Sequence, residues 1–187
     1  AAAEKAANTS DADPCLAAEI TLILAGVLNH PTISRYEEAV KILEDFEKRH
    51  AGCAPAIAPA LRERLSALRQ LKRMGEAREA VEAYLKTDAE NAGPLMARLL
   101  DAMRDEIGAA ADRGDATAVK ATADEAAKLA ERLLAWATAH PGRLSAGDTL
   151  TVSVTFEAIP SGLCDLVATR LTEIRGGYER LFKQYPR

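Results

Sequence analysis

The stretch "MGEAREAVEAYL", residues 74–85, poses the question that decides the fold, because one glycine stands among residues that favour an α-helix. Glycine in the interior of a helix costs about 1 kcal/mol relative to alanine. We therefore expect Gly75 at a tight turn between two helices. The small and apolar residues after it recur at the spacing of one helix face, at Ala77, Ala80, Val81, Tyr84 and Leu85.

The same spacing predicts three other amphipathic helices. Their apolar sets are Tyr36, Ala39, Val40, Leu43 and Phe46; Ala126, Leu129, Ala130, Leu133, Leu134 and Ala137; and Leu171, Ile174, Tyr178, Leu181 and Tyr185. Glycine caps helix ends and proline cannot continue a helix, so their clusters predict breaks. The breaks fall at residues 50–52, 91–94 and 140–142, and further helices are predicted over 61–74 and 95–111. The pattern indicates an all-α protein.

Composition agrees with close helix packing and excludes two classes of partner. The chain has 187 residues, about a fifth of them alanine and only 4% aromatic, which suits helices that approach through small side chains. A formal charge of -4 gives no basic signature for nucleic acid. The longest apolar run, residues 20–28, is shorter than the roughly 18 residues of a membrane span. No nucleic acid and no membrane span is therefore expected.

Two segments resemble the second half of a tetratricopeptide repeat. In residues 74–85 the resemblance lies in a glycine, then a small residue, then an aromatic one, and residues 34–51 are similar. Looser copies end near Trp136 and Tyr178. The positions that carry the resemblance are Tyr36, Ala39, Gly75, Ala80, Tyr84, Trp136 and Tyr178.

The resemblance implies an antiparallel helix-pair solenoid, a right-handed superhelix of about four pairs over residues 14–187. Such arrays bind a peptide or protein in a concave groove. Ala39 and Ala80 are 41 positions apart, whereas the family's repeat is about 34 residues long. The helices would therefore be longer than usual. A plain helical bundle is the alternative.

Two segments stand apart from this pattern. Residues 1–13 are expected to be a frayed tail. Residues 148–156, "DTLTVSVTF", alternate apolar and polar side chains as a strand does. No partner strand is evident, and a lone strand would leave backbone groups unsatisfied. The context favours a helix there, and a strand stays open.

No residue pattern indicates a metal site, a cofactor or a catalytic centre. Phosphate-loop, dinucleotide-binding, zinc-protease and serine-hydrolase motifs are absent. Glu47 and His50 form only half of a di-iron motif. All three histidines, His30, His50 and His140, stand at predicted helix ends, where they interact favourably with the last carbonyls. We expect a protein that is not an enzyme.

The three cysteines, Cys15, Cys53 and Cys164, are far apart and form no Cys-x-x-Cys pair. This sparse, odd number argues against a disulfide framework or a zinc knuckle. Buried thiols are the expectation. The compartment stays open, being cytoplasmic or, after removal of a signal peptide, periplasmic.

A basic patch is the candidate binding surface. It comprises Arg62, Arg69, Lys72 and Arg73, and the three arginines project onto one helix face at about 100° per residue. Under the repeat alignment they would line the groove. Arginines there suit an acidic peptide through bidentate pairs. A solvated face that offsets the acidic net charge is the alternative.

An acidic set, Asp101, Asp105 and Asp112, follows on the next helix. We interpret it as a solvated or interdomain salt-bridged face. If the basic and acidic faces line one groove, they would also pair across molecules and allow self-association. Together the patterns predict a non-catalytic protein-interaction scaffold. The alternatives are an ancillary or self-assembling helical domain of a larger multidomain enzyme or envelope complex, and an enzyme with an unrecognised helical site.

Overall fold

The computed structural model describes residues 14–144. Within that range the protein is all-α, with seven α-helices and no strand. The helices are α1 (Pro14–Leu28), α2 (Tyr36–Ile42), α3 (Phe46–Arg49), α4 (Ala54–Gln70), α5 (Met74–Thr87), α6 (Gly93–Asp112) and α7 (Ala116–Ala139). A short 3-10 helix, Ala89–Asn91, precedes α6.

The chain divides into two compact units, Ala1–Leu71 and Lys72–Arg187, here called unit 1 and unit 2. Unit 1 contains α1 to α4, and unit 2 contains α5 to α7. No helix-pair solenoid is detected in the described part of the chain. Residues 148–156, Cys164 and Tyr178 lie outside that part.

In unit 1, helices α1, α2 and α4 pack against one another, and α3 packs on α4. Small side chains dominate the contact between α1 and α4, as the alanine content predicts. The core cluster consists of Ala18, Ala25, Leu43, Phe46, Cys53, Ala56 and Ala60. Alanine lets two helix backbones approach closely, and the two large residues of this cluster, Leu43 and Phe46, come from the α2–α3 region.

The single helix predicted from Tyr36 to Phe46 is broken in the structure. Helix α2 ends at Ile42, and Asp45 adopts a left-handed conformation, φ 51° and ψ 22°. The Arg49 guanidinium donates hydrogen bonds to the carbonyls of Ile42 and Glu44, which the break leaves without helical partners. Leu43 and Phe46 are buried nevertheless. The apolar spacing therefore identified the core face correctly but not the break.

The prediction of free buried thiols is wrong for two of the three cysteines. Cys15, in the first turn of α1, forms a disulfide with Cys53, the residue before α4. Their Cα atoms are 5.1 Å apart, although 38 positions separate them in the sequence. Spacing along the chain hid the pair because the approach depends on how α1 packs against α4.

In unit 2, α6 and α7 form the most extensive helix pair, and α5 packs against α6. The predicted helix over residues 95–111 and the predicted apolar face of α7 are confirmed. The largest fully buried side chains of the unit are Leu95, Met96, Leu100, Met103, Ile107, Leu133, Val81 and Val119. Arg78 of α5 pairs with Glu106 of α6 at 2.6 Å and with Glu125 of α7 at 2.9 Å.

The predicted role of Gly75 as the turn residue is wrong. Gly75 lies in the first turn of α5, and its φ is not positive. The turn after α4 has its left-handed residue at Lys72, with φ 59°. Gly114, by contrast, has φ 70° in the turn between α6 and α7. The break near residues 71–75 was therefore foreseen, but the wrong residue was assigned to it.

Gly93 has a packing role rather than a turn role. The predicted break at residues 91–94 is confirmed, yet Gly93 and Pro94 begin α6 instead of capping α5. A Cβ atom at Gly93 would lie 2.2 Å from the ring of Trp136. The indole Nε1 donates to the carbonyl of Ala89 at 2.8 Å, and its ring stacks on His140. The ring of Trp136 thus packs directly against the backbone at the start of α6.

Candidate functional site

Helix α1 buries alanines on one face and exposes most of its large apolar side chains on the other. Ala18 and Ala25 are fully buried against the rest of unit 1, and Leu28 is almost fully buried. On the other side, five large apolar residues are about half exposed or more: Leu16 52%, Ile20 58%, Ile23 68%, Leu24 47% and Val27 48%. We call these five residues the α1 stripe. They include all but one of the large apolar side chains that are exposed in the described part of the chain, the other being Ile33.

The stripe is continuous along one helix face. At about 100° per residue, Leu16, Ile20, Ile23 and Val27 fall within roughly 60° of one another, and Leu24 borders them. Ala18 and Ala25 point roughly 180° away from the centre of the stripe. The stripe extends about 17 Å along the helix axis. An amphipathic helix normally shows the reverse arrangement, with its large apolar residues inward.

The surface of α1 carries little charge. Glu19 is its single charged residue, and neither the first nor the last turn holds a charged side chain. Thr21 satisfies its hydroxyl within the helix by donating to the carbonyl of Ala17 at 2.9 Å. A ligand that approached the stripe would therefore meet methyl and methylene groups over three turns.

An open groove of about 600 Å³ lies beside the stripe, between α1 and the α2–α3 region. Its apolar floor is formed by Leu24, which also belongs to the stripe, and Ile42. Charges of both signs form its rim. The lining residues are Thr21, Leu24, Lys41, Ile42, Glu44, Asp45, Lys48 and Arg49.

Two charges on this rim neutralise each other. The Lys48 ammonium donates a hydrogen bond to Asp45 at 2.7 Å. That bond and the opposite charge lower the pKa of the Asp45 carboxyl and raise the pKa of Lys48. Both side chains are largely exposed, so the pair contributes little to stability. With three cations, Lys41, Lys48 and Arg49, against two anions, Glu44 and Asp45, the rim keeps one excess positive charge beside its hydrogen-bonding groups.

The basic patch predicted from the sequence does not form a single stripe of arginines. Arg62 and Arg69 stand seven residues apart on α4 and so share a face. Helix α4 ends at Gln70, however, and Arg73 is the N-cap residue of α5. Arg73 makes a bidentate pair with Glu76, at 2.6 Å and 2.8 Å. Lys72 is exposed in the turn. The assignment of Arg73 to one helix face with Arg62 and Arg69 is therefore wrong.

Two of the acidic residues of α6 pair with an arginine of the same helix. Arg104 pairs with Asp101 at 2.9 Å and with Asp105 at 3.4 Å. Asp101 is almost fully buried, whereas Asp105 and Asp112 are exposed. The interpretation of a solvated face holds for Asp105 and Asp112 but is wrong for Asp101, which is buried, and the pairs with Arg104 lie within one helix rather than between domains.

The histidines lie at or just beyond helix ends. His140 directs Nδ1 to the Trp136 carbonyl at 2.9 Å, while the His50 ring contacts Phe46 with ring centroids 4.5 Å apart and planes inclined by 44°. His30 instead bonds the Thr32 hydroxyl at 2.7 Å. Over residues 14–144 no three His, Cys, Asp or Glu side chains converge as a metal site would require.

Sequence reasoning missed the α1 stripe. The run from residue 20 to 28 was weighed only for its length against a membrane span. A usable signal was present, since large apolar residues recur at intervals of four, three and four while alanines occupy the opposite face. Which of the two faces is buried is decided by packing against α4, which no local pattern encodes.

Comparisons with known proteins gave no relative: no family model, curated protein or solved structure matches the chain. They therefore add no support to the tetratricopeptide resemblance. No helix within residues 14–144 is both long enough and apolar enough to cross a membrane.

Proposed function

We propose that this chain is a non-catalytic protein-interaction domain that binds its partner through the α1 stripe. The observation that carries the proposal is the outward placement of Leu16, Ile20, Ile23, Leu24 and Val27. Soluble proteins rarely expose contiguous apolar patches larger than a few hundred Å², and such patches mark interaction surfaces.

The energetics favour a protein partner. Burying a Leu, Ile or Val side chain completely is worth about 1.5–3 kcal/mol, so the half that each stripe residue still exposes is worth about 1 kcal/mol. Five such residues provide a gross gain of roughly 5 kcal/mol before the costs of association. The adjacent groove would receive polar side chains that flank the partner's apolar surface.

A more specific version of this proposal is a helix-pair solenoid that binds its partner in a concave groove. It rests on the half-repeat patterns at residues 34–51 and 74–85. In that form, Arg62 and Arg69 orient an acidic segment of the partner. Arg73 contributes less because Glu76 already occupies its guanidinium.

The Cys15–Cys53 disulfide favours a role in an oxidising compartment. Disulfides persist in periplasmic and extracellular proteins and are rare in a reducing cytosol. Of the two locations left open by the sequence, it supports the periplasmic one. Thiol alkylation of the protein within intact cells, followed by mass spectrometry of the Cys15 and Cys53 peptides, would measure the oxidised fraction.

The stripe is tested by comparing partner capture between matched variants. Ile20→Lys/Ile23→Lys adds two charges to the stripe, and both positions are exposed, so the fold is retained. Ala121→Lys/Ala135→Lys adds the same charges at exposed positions of α7. Each variant is immobilised, checked by circular dichroism, and exposed to an extract of the source organism.

We expect proteins that are captured by the parent and by the α7 control to be lost from the stripe variant. A third variant, Arg62→Glu/Arg69→Glu, asks whether the basic residues of α4 contribute; a partner they orient would bind more weakly and with greater salt sensitivity. Identical capture by the parent and the stripe variant would contradict the proposal.

A further inference from the structure

We propose that the partner of the α1 stripe is a second copy of this chain, bound stripe to stripe about a two-fold axis. The inference rests on the proposed function, because it takes the stripe to be a protein-binding surface. A two-fold interface uses the same patch on both subunits, so the patch must be complementary to itself. The composition, spacing and size of the stripe meet this condition.

The spacing of the stripe is that of a helix-pairing seam. Leu16, Ile20, Ile23 and Val27 follow one another at intervals of four, three and four residues, the a/d spacing that lets side chains of one helix enter the holes of another. β-Branched Ile and Val predominate in it, and they hold few rotamers. A second α1 carries the same knobs and holes, so two copies fit without any change in the helix.

The size of the stripe suits a modest dimer. Five side chains about half exposed present an apolar patch on the order of 500 Å². Burying it on both subunits removes on the order of 1,000 Å² from solvent, the total that a specific interface needs to reach. Ile33, which is 42% exposed beyond the end of α1, is further apolar surface in the same unit. We therefore expect dissociation in the micromolar range.

The composition of helix α1 itself favours a second copy over a lipid surface. Helices that lie on membranes carry Lys or Arg on their polar face and insert Trp or Phe. Helix α1 has neither a cation nor an aromatic residue. Pairing two copies of α1 brings together no cluster of like charges, since Glu19 is the single charged residue of each. An acidic or basic peptide would find no complementary charge on the stripe itself.

Sedimentation velocity of the full chain tests the proposal. Over about 1 to 100 µM, the range in which micromolar dimers dissociate, the parent should shift from monomer to dimer. Ile20→Lys/Ile23→Lys should remain monomeric, with a dissociation constant raised at least ~100-fold. The Ala121→Lys/Ala135→Lys control should dimerise like the parent. A parent that stays monomeric, or a stripe variant that still dimerises, overturns the proposal.

A mixing experiment identifies the occupant as a second stripe. Ile20→Glu/Ile23→Glu should be monomeric alone, as should the lysine variant, because like charges meet across the two-fold axis. An equimolar mixture should form a mixed dimer that sediments faster than either variant, since opposite charges then face each other. A mixture that remains monomeric means that the stripes do not meet, and the proposal fails.

These experiments distinguish a failure of the dimer proposal from a failure of the proposed function. If the parent is monomeric but loses captured proteins on lysine substitution, the stripe binds another protein and the self-association is wrong. If the parent is monomeric and lysine substitution lowers its own stability in urea, other residues of the chain cover the stripe. In that case both proposals fall.

Discussion

At the scale of single residues, Gly93 is a position where the packing leaves no room for a side chain. Its missing side chain makes room for the Trp136 ring, which a Cβ atom would approach to 2.2 Å. We expect Gly93→Ala to lower the free energy of unfolding by about 1–3 kcal/mol, the usual cost of overpacking. Trp136 is the chain's single tryptophan, so urea unfolding followed by its fluorescence measures the loss directly.

Gly108 is the matched control on the same helix. It is exposed in the interior of α6, and a Cβ atom there would meet nothing within 4 Å. Gly108→Ala should therefore raise the free energy of unfolding by about 1 kcal/mol, the difference in helix propensity. If both substitutions change stability in the same direction, the contact of Gly93 with Trp136 does not govern the result.

Substitution of Gly75 distinguishes between two explanations for a glycine near a turn. If Gly75 were the turn residue, alanine there would be strained and destabilising. The structure places it in the first turn of α5 with open space around it, so Gly75→Ala should raise stability by about 0.5–1 kcal/mol. Thermal unfolding followed by circular dichroism is the measurement. An unfolding midpoint lower than that of the parent would mean that Gly75 is the turn residue after all.

Asp88 makes part of the stability of unit 2 dependent on pH. The hydrogen bonds from Asn91 and from the Tyr84 hydroxyl lower the pKa of Asp88, although partial burial opposes them. Because the folded pKa is below the unfolded one, the contribution is present at neutral pH and is lost as the pH falls below about 4.

Asp88→Asn should therefore be less stable than the parent at neutral pH. The difference in their free energies of unfolding should become smaller as the pH is lowered. Urea unfolding by Trp136 fluorescence at about pH 7 and about pH 3 gives both differences. A gap of constant size would mean that the Asp88 charge contributes nothing to folding.

At the scale of elements, the sequence predicted helices better than it predicted their interruptions. The 3–4 apolar spacing located α5 and α7 because each buries one face, and that periodicity is local. The break at Leu43–Asp45 was missed because Arg49 stabilises it through carbonyls that only become available once α3 folds back. Such a contact has no signature in a pattern of apolar residues.

The disulfide between α1 and α4 carries a prediction about these elements. Closing a loop of 38 residues stabilises the folded state by about 3–4 kcal/mol, mainly by restricting the unfolded chain. Cys15→Ser/Cys53→Ser should therefore lose about that much stability in unit 1, read as far-UV circular dichroism in urea. The reductant dithiothreitol should reproduce this loss in the parent and add nothing in the double variant. A parent indifferent to reductant would show that the bond contributes no stability.

At the scale of the whole molecule, fold class was readable from the sequence and the candidate site was not. All-α structure follows from composition and periodicity, both of which are properties of the chain itself. The α1 stripe is a candidate binding surface because its large residues are turned outward, and that orientation depends on which face of α1 packs on α2 and α4. For the arginines, the sequence predicted a site that the structure divides. A helical projection put Arg62, Arg69 and Arg73 on one face, but α4 ends at Gln70, so Arg73 is not part of that helix.

The disulfide also determines what a single backbone cleavage would do. Residues 30–35 connect α1 to α2 and are all exposed, so they form the kind of site that proteases cut first. They lie inside the ring that Cys15 and Cys53 close. After limited trypsin cleavage at Arg35, the two fragments would stay covalently joined and run as one band on a non-reducing gel. Reduction would separate them, so a nicked molecule could keep α1 and its stripe attached long after its chain was cut.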